Sequence, residues 1–294
     1  MSAPATTATG EAAMAGKAAS TGKRRPRIAW IQVVGLIVVI CGCLFPFYWM
    51  VVSSLKQAVD VMASPPVFWF TPTLDHYWEA LDNHGVGGSL LNSIIVSAST
   101  TAVALALGTP AAYALARYEF KAKGELWFWF ITNRMVSPIV LALPIFVLAG
   151  ELHLINTLLV LVLVYITFNL PIVVWICADQ FKSVPVELAE AARLEGASEF
   201  TIFWRLYLPL GAPGVAVSAI FSFIFSWNEL LYALVLTRSD TYTAPVAATS
   251  FMSGYELPWG EIMATGTMIV LPVIIFAMIV SRQLVRGLTM GATK

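Results

Sequence analysis

Six long apolar blocks, separated by short polar stretches, set the pattern of this chain. The first runs from Ile28 to Val52 and is interrupted only by Gln32. Five more follow, at about 89–115, 125–149, 158–180, 213–236 and 261–285. A hydrocarbon layer about 30 Å thick needs roughly 20 helical residues at 1.5 Å each, so every block is long enough to cross it. The pattern predicts an all-α integral membrane protein with six transmembrane helices. Gly108, Pro110, Pro138, Pro144, Pro171 and Pro272 lie inside the blocks. They are compatible with spans, because neighbouring helices satisfy the backbone groups such residues free.

Composition agrees with this reading. The chain is 59% apolar and 12% charged, with a mean hydropathy of +0.79, whereas about 25% charged residues is usual for a globular domain. Residues 1–27 are rich in Ala, Thr, Ser and Gly and end in "GKRRPR". Nothing there can bury a core, so they read as a disordered tail. A basic run before an apolar block can also open a signal peptide. The block is longer than a signal core, however, and "LFPFYWMVV" follows Cys43 without a break, so it reads as an uncleaved first span covering, with its outer segment, residues 28–88. Cys41, Cys43 and Cys177 all lie in apolar blocks and imply neither disulfides nor zinc.

Net charge is zero, but its distribution is one-sided. With the N-terminus inside, Lys17, Lys23, Arg24, Arg25, Arg27, Arg117, Lys121, Lys123, Lys182, Arg193, Arg205, Arg282, Arg286 and Lys294 share one side. Lys56 and Arg238 alone fall on the other. That is a strong positive-inside bias, which places both termini, including residues 286–294, in the cytoplasm of a multi-pass protein. The outer segment 53–88 carries interfacial aromatics and an amphipathic helix near Leu74–Leu81. His76, His84 and His153 are far apart in sequence, without metal-ligand spacing, and read as surface residues.

One cytoplasmic stretch is unlike the rest: "VELAEAARLEGASEFTIFWRLYLP", residues 186–209. Val186 to Glu195 holds good helix formers and no breaker. Leu188, Ala191 and Ala192 make a modest apolar face, with Glu190 among the acidic residues around it. Gly196 then interrupts the helix, where a left-handed or tightly packed backbone calls for glycine. A second helix is expected from Ser198, its cap, to Leu208, ending before Pro209. Such a hairpin can lie on the membrane surface. Interfacial helices, though, have broad apolar faces and basic flanks, whereas a short, acidic, alanine-rich helix suits a protein groove.

Glu190-Ala191-Ala192, three residues, Gly196, nine residues and Leu206-Tyr207-Leu208-Pro209 resemble the EAA motif of importer permeases in the ATP-binding cassette (ABC) superfamily. Leu206 in place of the usual isoleucine is the one departure. "LLNSIIVSASTTAVALALGTPAAYALAR", "NLPIVVWI", "IFSWNELLYALVLT" and "LVRGLTMGATK" are similar to the carbohydrate branch related to the smaller subunit of maltose permeases. Only residues 1–27 lie outside the resemblance. It implies a type I ABC transmembrane core over residues 89–285 and a location in the bacterial inner membrane. The implied partners are a second permease, two cytoplasmic ATPases and an extracytoplasmic solute-binding protein; nucleic acid is not among them. No cofactor is implied on this chain, since the partner ATPases hydrolyse the ATP. Leu188, Glu190, Ala191, Ala192, Gly196 and Pro209 then belong to a coupling hairpin that docks into an ATPase cleft.

Polar groups inside spans are costly and tend to face a cavity or a partner. Arg134, Asn169, Asn228 and Glu229 stand near mid-membrane by counting. Arg134 and Glu229 are candidates for a buried ion pair, or each faces an aqueous path. Trp227, Asn228, Glu229 and Tyr232 combine aromatic faces with hydrogen-bonding groups, as a sugar site requires; a helix-packing cluster is the other reading. No G-x-x-x-x-G-K-[ST], H-E-x-x-H or G-x-S-x-G sequence occurs, so neither an internal motor nor an enzyme is indicated. A self-sufficient secondary transporter would commonly carry internal repeats, and no clear one is visible. For the solute, a neutral sugar or sugar alcohol ranks first and glycerol-3-phosphate second.

Overall fold

The computed structural model describes residues 30–251 and 257–291. The tail at 1–27 and the last three residues therefore lie outside the described residues. The chain divides into two units, residues 1–46 and 47–294. The first holds residues 30–46, the opening part of helix α1 (Trp30–Ser54), whose apolar side chains are exposed. Among the described residues every regular element is helical.

The second unit continues with α2 (Ala58–Val61), α3 (Asp75–Asp82), α4 (Val86–Arg117), α5 (Lys123–Met135), α6 (Pro138–Glu151) and α7 (Leu158–Lys182). Then come α8 (Val186–Leu194), α9 (Glu199–Ile202), a π-helical turn over Phe203–Tyr207, α10 (Leu208–Leu210), α11 (Ala212–Trp227) and α12 (Leu231–Leu236). A 3-10 turn at Ser239–Thr241, α13 (Ala244–Ser250) and α14 (Trp259–Gly291) complete it. The amphipathic helix expected near 74–81 is α3.

Helices α4, α7 and α11 form the centre, and α14 packs on α11. Small and hydroxyl residues make this possible. Ser93, Ser97, Thr100 and Thr101 of α4 are buried, as are Ser218, Ser222 and Ser226 of α11. At Gly108 an added Cβ would lie 2.7 Å from Val173 Cγ1, so α4 and α7 approach as closely as they do because that side chain is missing. Close approach through small residues is how helices associate where lipid removes the hydrophobic drive.

Four described helices are long and apolar enough to span a membrane: Gln32–Ser54, Val86–Arg117, Leu158–Lys182 and Trp259–Ile279. The other two expected spans are not straight. The block at 125–149 is α5 and α6, bent by 96° at Val136-Ser137. Pro138 opens α6, and the residue before a proline is driven out of the helical region; Ser137 is extended, with ψ 128°. The block at 213–236 breaks between Trp227 and Leu231. By contrast Pro110, Pro144, Pro171 and Pro272 stay within their helices.

Candidate functional site

Between α7 and α11 the chain makes a hairpin. Helix α8 ends in a tight closure in which Ala197 N donates to Ala192 O and Gly196 N donates to Arg193 O, both at 3.0 Å. This paired pattern needs a left-handed residue just past the helix, and Gly196 supplies it with φ +84°. No atom lies within 4 Å of where a Cβ would sit. Of the two reasons offered for glycine here, conformation is the operative one and packing is not.

The expected second helix runs on to Leu210 rather than stopping before Pro209. Pro209 lacks an N–H and would strike the carbonyl four residues back in a regular helix. The preceding π-turn removes the conflict: Leu208 N donates to Phe203 O, one residue further back than an α-helix would use. Gly211 then turns the chain by 75° into α11. A Cβ there would overlap the Phe181 ring and stand 2.9 Å from Tyr207 O.

One carboxylate fastens the hairpin. Glu199 Oε1 accepts from Arg193 Nε at 2.7 Å, and its Oε2 accepts from Arg193 Nη2 at 3.3 Å, Tyr118 Oη at 2.5 Å and Tyr113 Oη at 3.2 Å. Foremost the Arg193 guanidinium, and then the Tyr118 hydroxyl, hold the Glu199 carboxyl down at about 2. Arg117, at the end of α4, donates to the carbonyls of Phe181 and Val184 and lies 4.7 Å from the Tyr207 ring centre. These are carbonyls at and beyond the end of α7, where the helix cannot pair its own acceptors. Sequence reasoning named neither Glu199 nor Arg117 as a fastening residue; apart from Arg193, six positions before Glu199, their partners are 64 to 86 positions away.

The inner face of α8 is Ala189, buried, and Ala192, half-buried against a core that includes Tyr113, Ile202 and Tyr207. Leu188 and Ala191, expected on the same face as Ala192, point outward and are exposed, as are Glu190, Gly196 and Pro209. Leu188, Leu194 and Phe200 present exposed apolar surface beside the acidic side chains.

The second group gathers around the break after α11. Asn169 is buried and donates to Tyr165 O at 2.9 Å and Ser226 Oγ at 3.0 Å. Trp227 is buried and stacks on Phe223. Asn228 is exposed, and its Nδ2 returns to Ile224 O at 2.8 Å. Glu229 accepts from the N–H groups of Tyr232, at 3.1 Å, and Ala233, at 3.3 Å, satisfying donors that the start of α12 leaves open. Tyr232 Oη donates to Pro138 O at 3.2 Å, so the two helix breaks meet.

Arg134 stands apart: of the two readings offered for it, the ion pair with Glu229 is not formed. It ends α5 just before the bend, and its guanidinium lies 4.8 Å from the Phe225 ring centre beside a cavity of about 460 Å3 lined also by Trp127 and Trp175. Glu229 is already turned onto backbone N–H groups.

Residues 104–290 match the family model described as "Binding-protein-dependent transport system inner membrane component". The chain is 37% identical over 260 residues to the Trehalose transport system permease protein SugB of Mycobacterium tuberculosis, covering 87% of this chain and 94% of that protein. It is 33% identical over 268 residues to the Trehalose/maltose transport system permease protein MalG of Thermococcus litoralis, covering 90% and 96%. In fold it is similar to a chain from the crystal structure of a bacterial ABC transporter involved in the import of the acidic polysaccharide alginate. That match has a TM-score of 0.72 at 21% identity, over 86% of this chain and 95% of that one. The chain is a membrane permease, not an enzyme, and it belongs to the family of binding-protein-dependent transport system inner membrane components.

Proposed function

We propose that this permease carries a neutral sugar or sugar alcohol into the cell as one half of an ABC importer's membrane channel. In this reading it spans the inner membrane six times, through α1, α4, the bent pair α5–α6, α7, α11 with α12, and α14, and both termini are cytoplasmic. A second permease completes the channel, two ATPases drive it and an extracytoplasmic binding protein delivers the solute. The relatives named for trehalose and maltose support the solute class.

The observation that carries the reading is the two-sidedness of the hairpin. Ala189 and Ala192 anchor α8 to the protein core, while Leu188, Glu190, Ala191 and Leu194 are left facing out. A short helix held rigidly on one face and free on the other is suited to sitting in an ATPase cleft. Closure of two ATPases displaces it, and the turn at Gly211 passes the displacement to α11. Coupled rigid-body motion of this kind switches a central cavity between its two openings. The polar groups at the meeting of the two helix breaks, Asn169, Glu229 and Tyr232 with Trp227 and Asn228, lie along the solute's route, and Arg134 lines a side cavity of it.

The test is purification of tagged full-length protein from its native host in mild detergent, with Ala191→Asp in parallel, and uptake of labelled sugars by the same strains. Ala191 is exposed, so the substitution spares the fold. The expected result is co-purification of an ATPase and a second permease, with the ATPase lost and uptake abolished in the variant. Retention of both by Ala191→Asp would overturn docking through α8. Uptake by the isolated chain without any ATPase would overturn the importer reading.

A further inference from the structure

The N-terminal end of α14 and the outer helix α3 bring together three side chains that the transport reading does not use: His76, Glu79 and Glu261. One potential ligand atom from each lies within 4.8 Å of the others. His76 and Glu79 are three residues apart on α3 and share a face, with Nδ1 3.8 Å from Glu79 Oε2. Glu261 comes from the first turn of α14, 182 positions away from Glu79.

The chemistry of His76 is constrained. It is 7% exposed, not the surface residue its sequence position suggested. Its Nε2 lies 2.9 Å from the Lys56 carbonyl oxygen. A carbonyl only accepts, so Nε2 carries the proton and donates. In the neutral ring Nδ1 then bears the lone pair. That atom is buried and makes no hydrogen bond; it lies 3.8 Å from Glu79 Oε2, and Glu261 is the other carboxylate grouped with the ring. A lone pair and two anions turned toward one another repel unless a cation stands between them. Donation of the remote ring N–H to a backbone carbonyl is also how metal-binding histidines are oriented.

The rest of the pocket is built around this arrangement. Any side chain at position 260 would overlap the His76 ring, so Gly260 lets the ring lie against the start of α14. His84 Nε2 lies 2.8 Å from Glu261 Oε2. The nearby Lys56 ammonium is turned away, lying 4.7 Å from the ring centre of Trp49 and 5.6 Å from that of Phe70. A cavity of about 840 Å3, which Gln57, Thr73 and Asp75 also line, opens beside the three ligands and gives water and ions access.

We propose that His76 Nδ1, Glu79 and Glu261 bind one first-row divalent cation, Zn2+ by preference, and so clamp α3 to α14. One imidazole and two carboxylates with an open fourth position for water suit zinc, whose bonds to these atoms are about 2.0–2.2 Å. Tetrahedral ligands at that distance stand roughly 3.4 Å apart, so the His76–Glu79 pair at 3.8 Å needs to close by about 0.4 Å, and a pair at the 4.8 Å limit of the group by about 1.4 Å. The site stands independently of the solute carried.

The test uses full-length protein with whatever subunits accompany it, purified through a tag free of histidine. It is stripped with EDTA, freed of chelator and equilibrated with Zn2+. Metal content is measured by elemental analysis and ligation by X-ray absorption at the zinc edge. The expected result is one zinc per chain, with a shell of one imidazole and oxygens. Glu79→Gln, at a half-exposed position, should weaken binding more than tenfold without affecting the fold. His76→Gln, which can still donate to the Lys56 carbonyl, should do the same. Wild-type protein that retains no zinc, or the same zinc as both variants, would overturn the site. So would a zinc shell without imidazole.

Discussion

Gly196 makes a claim that a graded series can test. Its φ of +84° is a region where an L-residue pays about 1–2 kcal/mol, and an added Cβ meets nothing within 4 Å. The whole penalty is therefore conformational. For Gly196→Ala part of it is offset because alanine also stiffens the open hairpin, by about 0.4–1 kcal/mol. The net cost is about 1 kcal/mol, which raises the open population roughly fivefold. Asparagine tolerates the left-handed region better than other side chains, so Gly196→Asn should cost less than alanine. Gly196→Val, β-branched, should cost more than either. Trypsin reads this directly, because the Arg193–Leu194 bond lies in the last turn that Gly196 closes. Cleavage that is slow relative to opening follows the open population. With fragments identified by mass, nicking after Arg193 should rise in the order Gly, Asn, Ala, Val. A packing requirement would order them by size, with alanine mildest. Asparagine worse than alanine, or alanine equal to glycine, would refute the reasoning.

Glu199→Gln should raise nicking at the same bond about two- to fivefold. The ion pair with Arg193 is half exposed, and exposed pairs contribute little because solvent screens them. Because the folded carboxyl is depressed to about 2, its contribution is complete above the ordinary carboxylate range near 4.3 and is lost as pH falls through about 2. Hydrogen-exchange protection of the hairpin, corrected for intrinsic rates, should be flat from pH 5 to 8 and decline below about pH 4; a decline centred near pH 7 would contradict it. Gly211→Ala should destabilise by about 1–3 kcal/mol through overpacking against Phe181 and Tyr207, lowering the melting temperature in detergent. Gly88→Ala, with open space around its Cβ, should leave that temperature unchanged or raise it.

How much of this was legible in the chain depended on the range of the interaction. Helix α8 and the left-handed turn at Gly196 were legible because both rest on local chemistry: good helix formers followed by the residue that closes a helix end. The two span breaks were not. Each block dips in hydropathy at its break, at Thr132-Asn133-Arg134 and at Asn228-Glu229, but such polar groups also occur inside intact spans, as Asn169 does in α7, and proline alone does not mark a break, since Pro110 and Pro171 remain helical. Pro138 differs because it starts a helix rather than interrupting one. Counting along straight helices gives Arg134 and Glu229 a common depth but cannot choose between an ion pair and two separate polar sites; Glu229 instead turns onto the N–H groups that open α12. His76 read as a surface residue because no other histidine stands at ligand spacing from it; its neighbours in the fold are two carboxylates, and Glu261 lies 182 positions from Glu79.

The packing of α4 against α7 has a consequence for how the protein is made. The buried hydroxyl face of α4 and the Arg117 side chain that caps α7 both depend on a helix synthesised later. Roughly 65 residues separate Arg117 from the end of α7, about 3–13 s of translation at 5–20 residues per second. Throughout that interval α4 has no partner for its serine and threonine stripe, and its guanidinium has no carbonyls to hold. The nascent chain must therefore keep a polar-faced helix waiting at the insertion machinery. An early stall between α4 and α7 would leave a fragment whose most lipid-averse surface is uncovered, a natural target for membrane quality control.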